Sequence, residues 1–152
     1  MSAHTQFEPD VPGTFEGLAT VDVVEPGGAP AAIIDTDDAF TIEVHWETKG
    51  WVPPLFDGLA DTVEWQVTAY LEALGSGADM TLGTESAKFN AGAAPAADQR
   101  DYDVSIAVAG STVPAGAYRL ITVILGENTA TGVKQRVAAF VDGPTLQFFQ
   151  HP

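Results

Sequence analysis

The chain has 152 residues and no cysteine, which excludes a disulfide scaffold, a thiol nucleophile and a cysteine-ligated metal. Its 21 acidic and 6 basic side chains give a formal net charge of −15, which disfavours nucleic acids and anionic membrane surfaces as partners. Lys49 is the sole base before residue 77, so most of the negative charge lies in the first half of the chain.

The length fits one domain. We assign residues 1–13 to a flexible N-terminal segment, residues 14–141 to the folded domain and residues 142–152 to a C-terminal strand or tail. The first residues lack a basic segment followed by an apolar run, and no stretch approaches the ~20 apolar residues of a membrane span. We therefore expect a cytoplasmic protein, with export without a cleaved leader left open.

Gly and Pro punctuate the chain at short intervals, between runs of β-branched and aromatic residues, a rhythm typical of a sandwich or barrel. Apolar and polar residues alternate over 40–47, 62–72 and 100–108. Side chains of a strand point to opposite faces with period two, so these segments predict strands with one buried and one wet face. The runs 117–126 and 132–141 are apolar on both faces, and the turn between them predicts a hairpin.

Weaker patterns complete the predicted fold. An early strand is expected over 14–24, a short one over 31–34, and a last one over the tail 145–150. The segments 80–83 and 86–90 are expected to add edge strands. The sequence therefore predicts an all-β, antiparallel β-sandwich of about seven to nine strands.

Two aromatic residues carry a resemblance to a known fold. The segment PAGAYRL, Pro114–Leu120, resembles the start of the sixth strand in immunoglobulin-like, fibronectin-like and transthyretin-like domains. There the tyrosine packs inward and its hydroxyl binds nearby backbone, which implies this role for Tyr118. Trp65, at the centre of the predicted third strand, is similar to the buried tryptophan of that architecture. The resemblance implies an immunoglobulin-like sandwich but carries over no functional residue.

Strand parity predicts an apolar patch on the outside of one sheet. If Tyr118 points inward, alternate residues of the same strand point outward, and similar reasoning applies to the two neighbouring strands. Exposed apolar patches usually mark interaction sites. The tail 145–150 could also pair with the sheet edge of a partner. The interface candidates are Tyr70, Ile121, Val123, Leu125, Phe140, Phe148 and Phe149.

The alternative for this patch is internal cover, because the tail 145–149 or the segment 76–97 could fold over it. Three cations are expected on the same face and could pair with two acids across the strands. These cations are Arg119, Lys134 and Arg136, and the acids are Glu64 and Glu72.

The loop after residue 49 contains Trp51, Leu55 and Phe56. Loops normally run over the surface. We expect this one either to fold back as a lid over one end of the sandwich or to offer anchors to a partner. A ligand site, for example for carbohydrate, would combine Trp51 and Phe56 with Asp57 or Asp61.

Chemical motifs are weak. The three histidines share no metal motif, and we interpret them as surface residues. The run Asp35–Asp38 is favoured as a turn over a calcium loop. Nucleophile elbows and phosphate loops are absent from the sequence. We expect a structural or protein-binding module, without cofactor or catalytic residue, that associates with itself, with a protein partner or within a larger assembly. The alternative is a small-ligand or carbohydrate-binding domain.

Overall fold

The computed structural model describes residues 3–8, 10–26 and 30–152. Within these ranges the chain forms ten strands and two short 3₁₀ helices, Pro53–Gly58 and Phe89–Ala91. Neither helix is long and apolar enough to cross a membrane. The strands are β1 (Ala3–Gln6), β2 (Glu16–Val24), β3 (Ile33–Asp35), β4 (Phe40–Lys49), β5 (Val63–Ala73), β6 (Met80–Lys88), β7 (Ala93–Ala96), β8 (Gln99–Val108), β9 (Gly116–Asn128) and β10 (Val133–Phe149).

The strands form two five-stranded sheets. Sheet A has the order β1-β2-β4-β8-β7, and sheet B has the order β3-β10-β9-β5-β6. The pairings are antiparallel except for β3, which runs parallel to the end of β10. The prediction of an all-β, mostly antiparallel protein with two sheets is therefore confirmed.

The core lies between the inner faces of the two sheets, where the alternation of each strand places its apolar residues. Trp65 on β5 lies at its centre and is fully buried. Its ring stacks on Phe89 with centroids 4.0 Å apart and meets Trp46 of sheet A edge-on at 6.0 Å. Burying a large apolar side chain contributes about 1.5–3 kcal/mol, so this aromatic cluster is a main source of stability.

Tyr118 on β9 points inward as predicted, and its hydroxyl donates to the carbonyl oxygen of Pro114 at 3.1 Å. This hydrogen bond ties the start of β9 to the turn that precedes it. The inward position of this one residue sets the parity of the rest of β9, which alternates between buried and half-buried side chains up to Gly126.

Part of the N-terminal segment, over the described residues 3–8, packs against the two sheets. Strand β1 pairs with β2, and Phe7 is fully buried with its ring 5.6 Å from that of Trp65. Glu8 then exchanges two backbone hydrogen bonds with Ala138 of β10, at 2.8 and 3.0 Å. This bridge joins the edge of sheet A to sheet B. The strand is too short for its alternation to be recognised in the sequence.

The tail does not form a separate strand, because β10 continues through it to Phe149. The Gly143-Pro144 pair does not end the strand but lies within an irregular register between Asp142 and Thr145. Such irregularities bend a strand without ending it. A Cβ at Gly143 would lie 2.7 Å from the carbonyl oxygen of Leu120, so the close approach of β9 requires glycine there.

The two edge segments that were predicted over 80–83 and 86–90 lie largely within a single strand, β6.

Candidate functional site

Five of the seven interface candidates lie together on the outer face of sheet B. In the register of β9 with its two neighbours, Val123 lies opposite Phe140, and Ile121 lies opposite Tyr70. Leu125 is next on the same strand, opposite Ala138 of β10. We call these five residues the sheet B patch. Their common orientation confirms the parity prediction.

The sheet B patch is open to solvent. Phe140 is 59% exposed and Tyr70 is 39% exposed, whereas the three β9 residues between them are half-buried. Neither predicted cover lies over it. The tail continues in the plane of the sheet as β10, and the segment 76–97 forms the edge strand β6 and then crosses to sheet A as β7.

Ion pairs frame the sheet B patch. Arg119 lies between Glu72 and Asp142, with both nitrogen–oxygen distances at 3.5 Å, and Lys134 pairs with Glu127. Of the expected cation–acid pairs across these strands, Arg119 with Glu72 is present, whereas Lys134 pairs with Glu127, an acid that was not among those predicted. On the outward positions of β5, β6, β9 and β10 the formal charges cancel. The acids are Glu64, Glu72, Glu127 and Asp142, and the bases are Lys88, Arg119, Lys134 and Arg136.

The remaining two interface candidates lie outside the sheet B patch. Phe148 is buried in the core, with its ring 5.5 Å from that of Phe40 and 5.8 Å from that of Tyr118, so its prediction as a surface residue is wrong. The alternation along the end of β10 turns it inward. Phe149 is 40% exposed beside the edge strand β3. Because β3 already pairs with the end of β10, that edge of the tail is not free for strand addition.

The loop candidates separate into one lid residue and two surface residues. Phe56, in the first 3₁₀ helix, is buried with its ring 4.9 Å from that of Phe89, so it closes one end of the core. Trp51 and Leu55 are 62% and 60% exposed. The indole nitrogen of Trp51 donates to the hydroxyl of Thr14 at 3.2 Å, which holds the exposed ring in place.

A buried arginine, which the sequence reasoning missed, anchors this loop. Arg100 is only 6% exposed and donates two hydrogen bonds to the carboxylate of Asp57, at 2.9 and 2.8 Å. Its third nitrogen reaches backbone carbonyls, 2.7 Å away at Gln99. The hydrogen bonds from Arg100 hold the pKa of the Asp57 carboxyl below its ordinary value. The available signal was that Arg100 occupies an inward position of an alternating strand, where a charge needs a partner.

Tyr102, two residues further along β8, also points inward. Its hydroxyl donates to the carbonyl oxygen of Phe89 at 2.7 Å. Burial raises the pKa of this phenol to about 12. The group therefore stays neutral through the physiological pH range and serves packing and backbone satisfaction.

The predicted aromatic and carboxylate ligand site is not assembled from all of its members. Phe56 is buried, and Asp57 is committed to Arg100. The carboxylate of Asp61 accepts a 2.7 Å hydrogen bond from Asn90 and lies 3.7 Å from Lys88. Of the two aromatic members, only Trp51 presents its ring to solvent.

The other carboxylate run, Asp35–Asp38, forms a turn. The backbone nitrogen of Asp37 donates to the side chain of Asp35 at 3.0 Å, and Ser111 donates to the side chain of Asp37 at 3.2 Å. These carboxylates thus accept hydrogen bonds that shape the entry to β4, as the turn interpretation expects.

The outer face of sheet A is polar and strongly acidic. Outward positions of β2, β4 and β8 hold one lysine, Lys49, and one described histidine, His45, whose Nδ1 lies 2.8 Å from a carboxylate oxygen of Asp103. Among the described residues, one group of three offers metal-type ligand atoms within 4.8 Å of one another: His45, Glu47 and Asp101. The acids of this face are Glu16, Asp22, Glu43, Glu47, Asp101 and Asp103.

Comparisons with known proteins do not show a family for this chain. Neither a protein-family model nor a curated protein matches it. Among solved structures, the crystal structure of the C-terminal domain of wzt is similar to this chain, with 13% sequence identity and a TM-score of 0.47. The match covers 87% of this chain and 72% of that chain.

Proposed function

We propose that this protein is a non-enzymatic structural or protein-binding module that associates through the sheet B patch, and that its partner there is a second copy of the chain. The single observation that carries the proposal is an uncovered apolar surface on the outside of a sheet, in which Phe140 is 59% exposed. Burial of apolar area contributes about 25 cal/mol per Å², so five such side chains supply several kcal/mol before the costs of association.

Local charge supports a second copy as the partner. The whole chain carries −15, and like charges of that size keep molecules apart. The outward charges of β5, β6, β9 and β10 nevertheless cancel, so the sheet B patch is where two copies meet with least repulsion. A two-fold axis through the patch would place the same surface on both sides, as in most homodimers.

We further propose that the architecture is an immunoglobulin-like sandwich. The strand orders support it, because β2, β4 and β8 are neighbours in one sheet while β10, β9 and β5 are neighbours in the other. This arrangement corresponds to the A-B-E and G-F-C groups of that fold. The buried Trp65 and the hydroxyl bond of Tyr118 support it too.

Sedimentation equilibrium tests the partner. Wild type should form dimers, and Phe140→Glu or Ile121→Glu should raise the dissociation constant by roughly 100-fold or more, since an unpaired charge in an apolar interface costs several kcal/mol. Leu55→Glu is the matched control, because Leu55 is 60% exposed and lies outside the patch. It should dimerise like wild type.

Wild type that stays monomeric up to about 1 mM overturns self-association. Equal loss of dimer in Leu55→Glu and Phe140→Glu assigns the effect to added charge and removes the patch from the proposal. A different protein that co-purifies with wild type, and is lost with Phe140→Glu, would keep the patch but replace the second copy as its partner.

A small-ligand or carbohydrate-binding role is the second candidate. Its support is Trp51, whose exposed ring is held by the hydrogen bond to Thr14. Aromatic rings fixed at a surface suit stacking on apolar faces of a ligand. Binding on a glycan array that disappears in Trp51→Ala but persists in Phe140→Glu supports this role, whereas an array without binding removes it.

A further inference from the structure

We propose that His45, Glu47 and Asp101 form a binding site for a divalent transition-metal ion such as Zn²⁺, on the face of the sandwich opposite the sheet B patch. The site does not depend on self-association. His45 and Glu47 are two residues apart on β4 and so share its outer face. In the antiparallel register Glu47 lies directly opposite Asp101 of β8.

The three side chains are close enough to share one ion. One nitrogen or oxygen from each lies within 4.8 Å of the others. Ligands of a tetrahedral Zn²⁺ with bonds of about 2.1 Å are about 3.4 Å apart, so modest side-chain rotation brings them into range. Both strands are internal to sheet A, and all three residues are half-buried, which limits the freedom lost on binding.

A fourth residue orients the imidazole. Asp103 lies opposite His45 in the register, with its carboxylate oxygen 2.8 Å from Nδ1. When Nδ1–H donates to this carboxylate, Nε2 carries the free lone pair of the neutral ring. Metal-binding histidines commonly have this second interaction, which sets the tautomer and ring orientation. Asp103 is therefore a positioning residue.

The electrostatics favour a dication. Glu47 and Asp101 are like charges directly opposite each other, an arrangement that destabilises a sheet. Gln99 relieves it in part by donating to Asp101 at 2.8 Å and more weakly to Glu47 at 3.4 Å. Lys49 lies on the same face but makes no ion pair within 4.0 Å among the described residues. One divalent ion would neutralise both carboxylates.

The donor set indicates the class of metal. One imidazole nitrogen with two carboxylates suits Zn²⁺ and similar transition metals. Calcium takes six to eight oxygen ligands, which this site does not offer from its side chains. The imidazole therefore distinguishes the site from the general attraction of an acidic face for cations.

Isothermal titration of the chelator-treated protein with ZnCl₂, and separately with CaCl₂, tests the site. We expect one equivalent of Zn²⁺ to bind. Its affinity should fall about tenfold in Asp103→Asn, as for other orienting partners, and by more than about tenfold in His45→Ala, Glu47→Gln and Asp101→Asn, which each remove a direct ligand. The Nε2 resonance of His45 should shift on Zn²⁺ addition in ¹⁵N spectra.

Two matched controls separate the site from bulk charge. Glu43→Gln removes a charge from the same face, and His151→Ala removes a histidine elsewhere; both should bind Zn²⁺ like wild type. The proposal is overturned by the absence of saturable binding, by undiminished binding in His45→Ala, or by equal losses in Glu43→Gln and Glu47→Gln. Calcium binding as tight as zinc binding also overturns it, because that result describes an acidic surface only. Circular dichroism confirms that each variant is folded.

Discussion

The two sheets of this protein follow the same alternation, yet their outer faces meet solvent in different ways. Outward positions of β2, β4 and β8 in sheet A hold six acids and one lysine, whereas those of β5, β6, β9 and β10 in sheet B hold four acids, four bases and an apolar patch. The net charge of −15 is thus unevenly distributed. Composition averaged over the chain hides this difference, which determines where another molecule could approach.

The salt dependence of association separates the two faces most strongly. If copies meet through the neutral sheet B patch, raising NaCl from about 20 mM to about 500 mM should tighten the dimer by roughly tenfold, because salt screens repulsion between the acidic surfaces outside it. Sedimentation at both concentrations measures this. Weaker association at high salt would instead indicate contact between the acids of sheet A and the cations of a second copy.

Asp57 is paired with the buried Arg100, whereas the outer face of sheet A has six acids and one lysine. We expect Asp57→Asn to lower the melting temperature by several degrees at pH 7, because Arg100 then remains buried without its carboxylate. Hydrogen bonds from Arg100 keep the pKa of folded Asp57 below 3.8, its ordinary value. The pair therefore stabilises the fold fully above pH 3.8 and loses its effect as the pH falls through the lower, folded-state pKa.

Melting curves of wild type and Asp57→Asn between pH 7 and pH 2 test this sign. The difference between the two proteins should stay constant down to about pH 4 and shrink below it. Asp38→Asn makes the same chemical change on an exposed turn and should melt close to wild type. A difference that grows in acid contradicts the assignment of the ion pair.

Each sheet has one fully buried threonine on its inner face, and the two threonines differ in their hydrogen bonding. Thr48 of sheet A donates to the carbonyl oxygen of Arg100 at 3.2 Å, whereas the hydroxyl of Thr122 in sheet B has no partner among the described residues. We expect Thr48→Val to lower the free energy of unfolding by about 1 kcal/mol and Thr122→Val to raise it by about 1 kcal/mol. Urea denaturation measures both, and equal effects would show that burial alone governs them.

The smallest expected effect is a change in the free energy of unfolding on removal of one acid, with opposite signs on the two outer faces. Glu43 lies opposite Asp22 on sheet A, whereas Glu72 lies 3.5 Å from Arg119 on sheet B. Glu43→Gln should raise the free energy of unfolding by a few tenths of a kcal/mol, and Glu72→Gln should lower it by a similar amount. Both differences should vanish in about 1 M NaCl, where screening is strong. Effects of the same sign would remove the electrostatic contrast.

Alternation predicted much of the fold because side-chain direction in a strand is local. Strands β4, β5 and β8 lie close to their predicted ranges. The inward Tyr118, together with the parity of the two neighbouring strands, led correctly to the five residues of the sheet B patch. The same reasoning was incomplete for the tail, because the bulged continuation of β10 depends on the close approach of β9 at Gly143. That approach is not visible in the residues of the tail.

By itself the sequence determined the inward and outward residues of the clearly alternating strands β4, β5, β8 and β9, the absence of cysteine chemistry and the excess of negative charge. Only the tertiary structure decided which strands are neighbours and in what register. The separation of acidic and neutral faces depends on this pairing of strands. The pair Arg100–Asp57, and the meeting of His45 and Glu47 with Asp101, join residues more than 40 positions apart in the chain. The physical reason is that side-chain direction repeats every two residues along one strand, whereas register is set by packing and backbone pairing between distant strands.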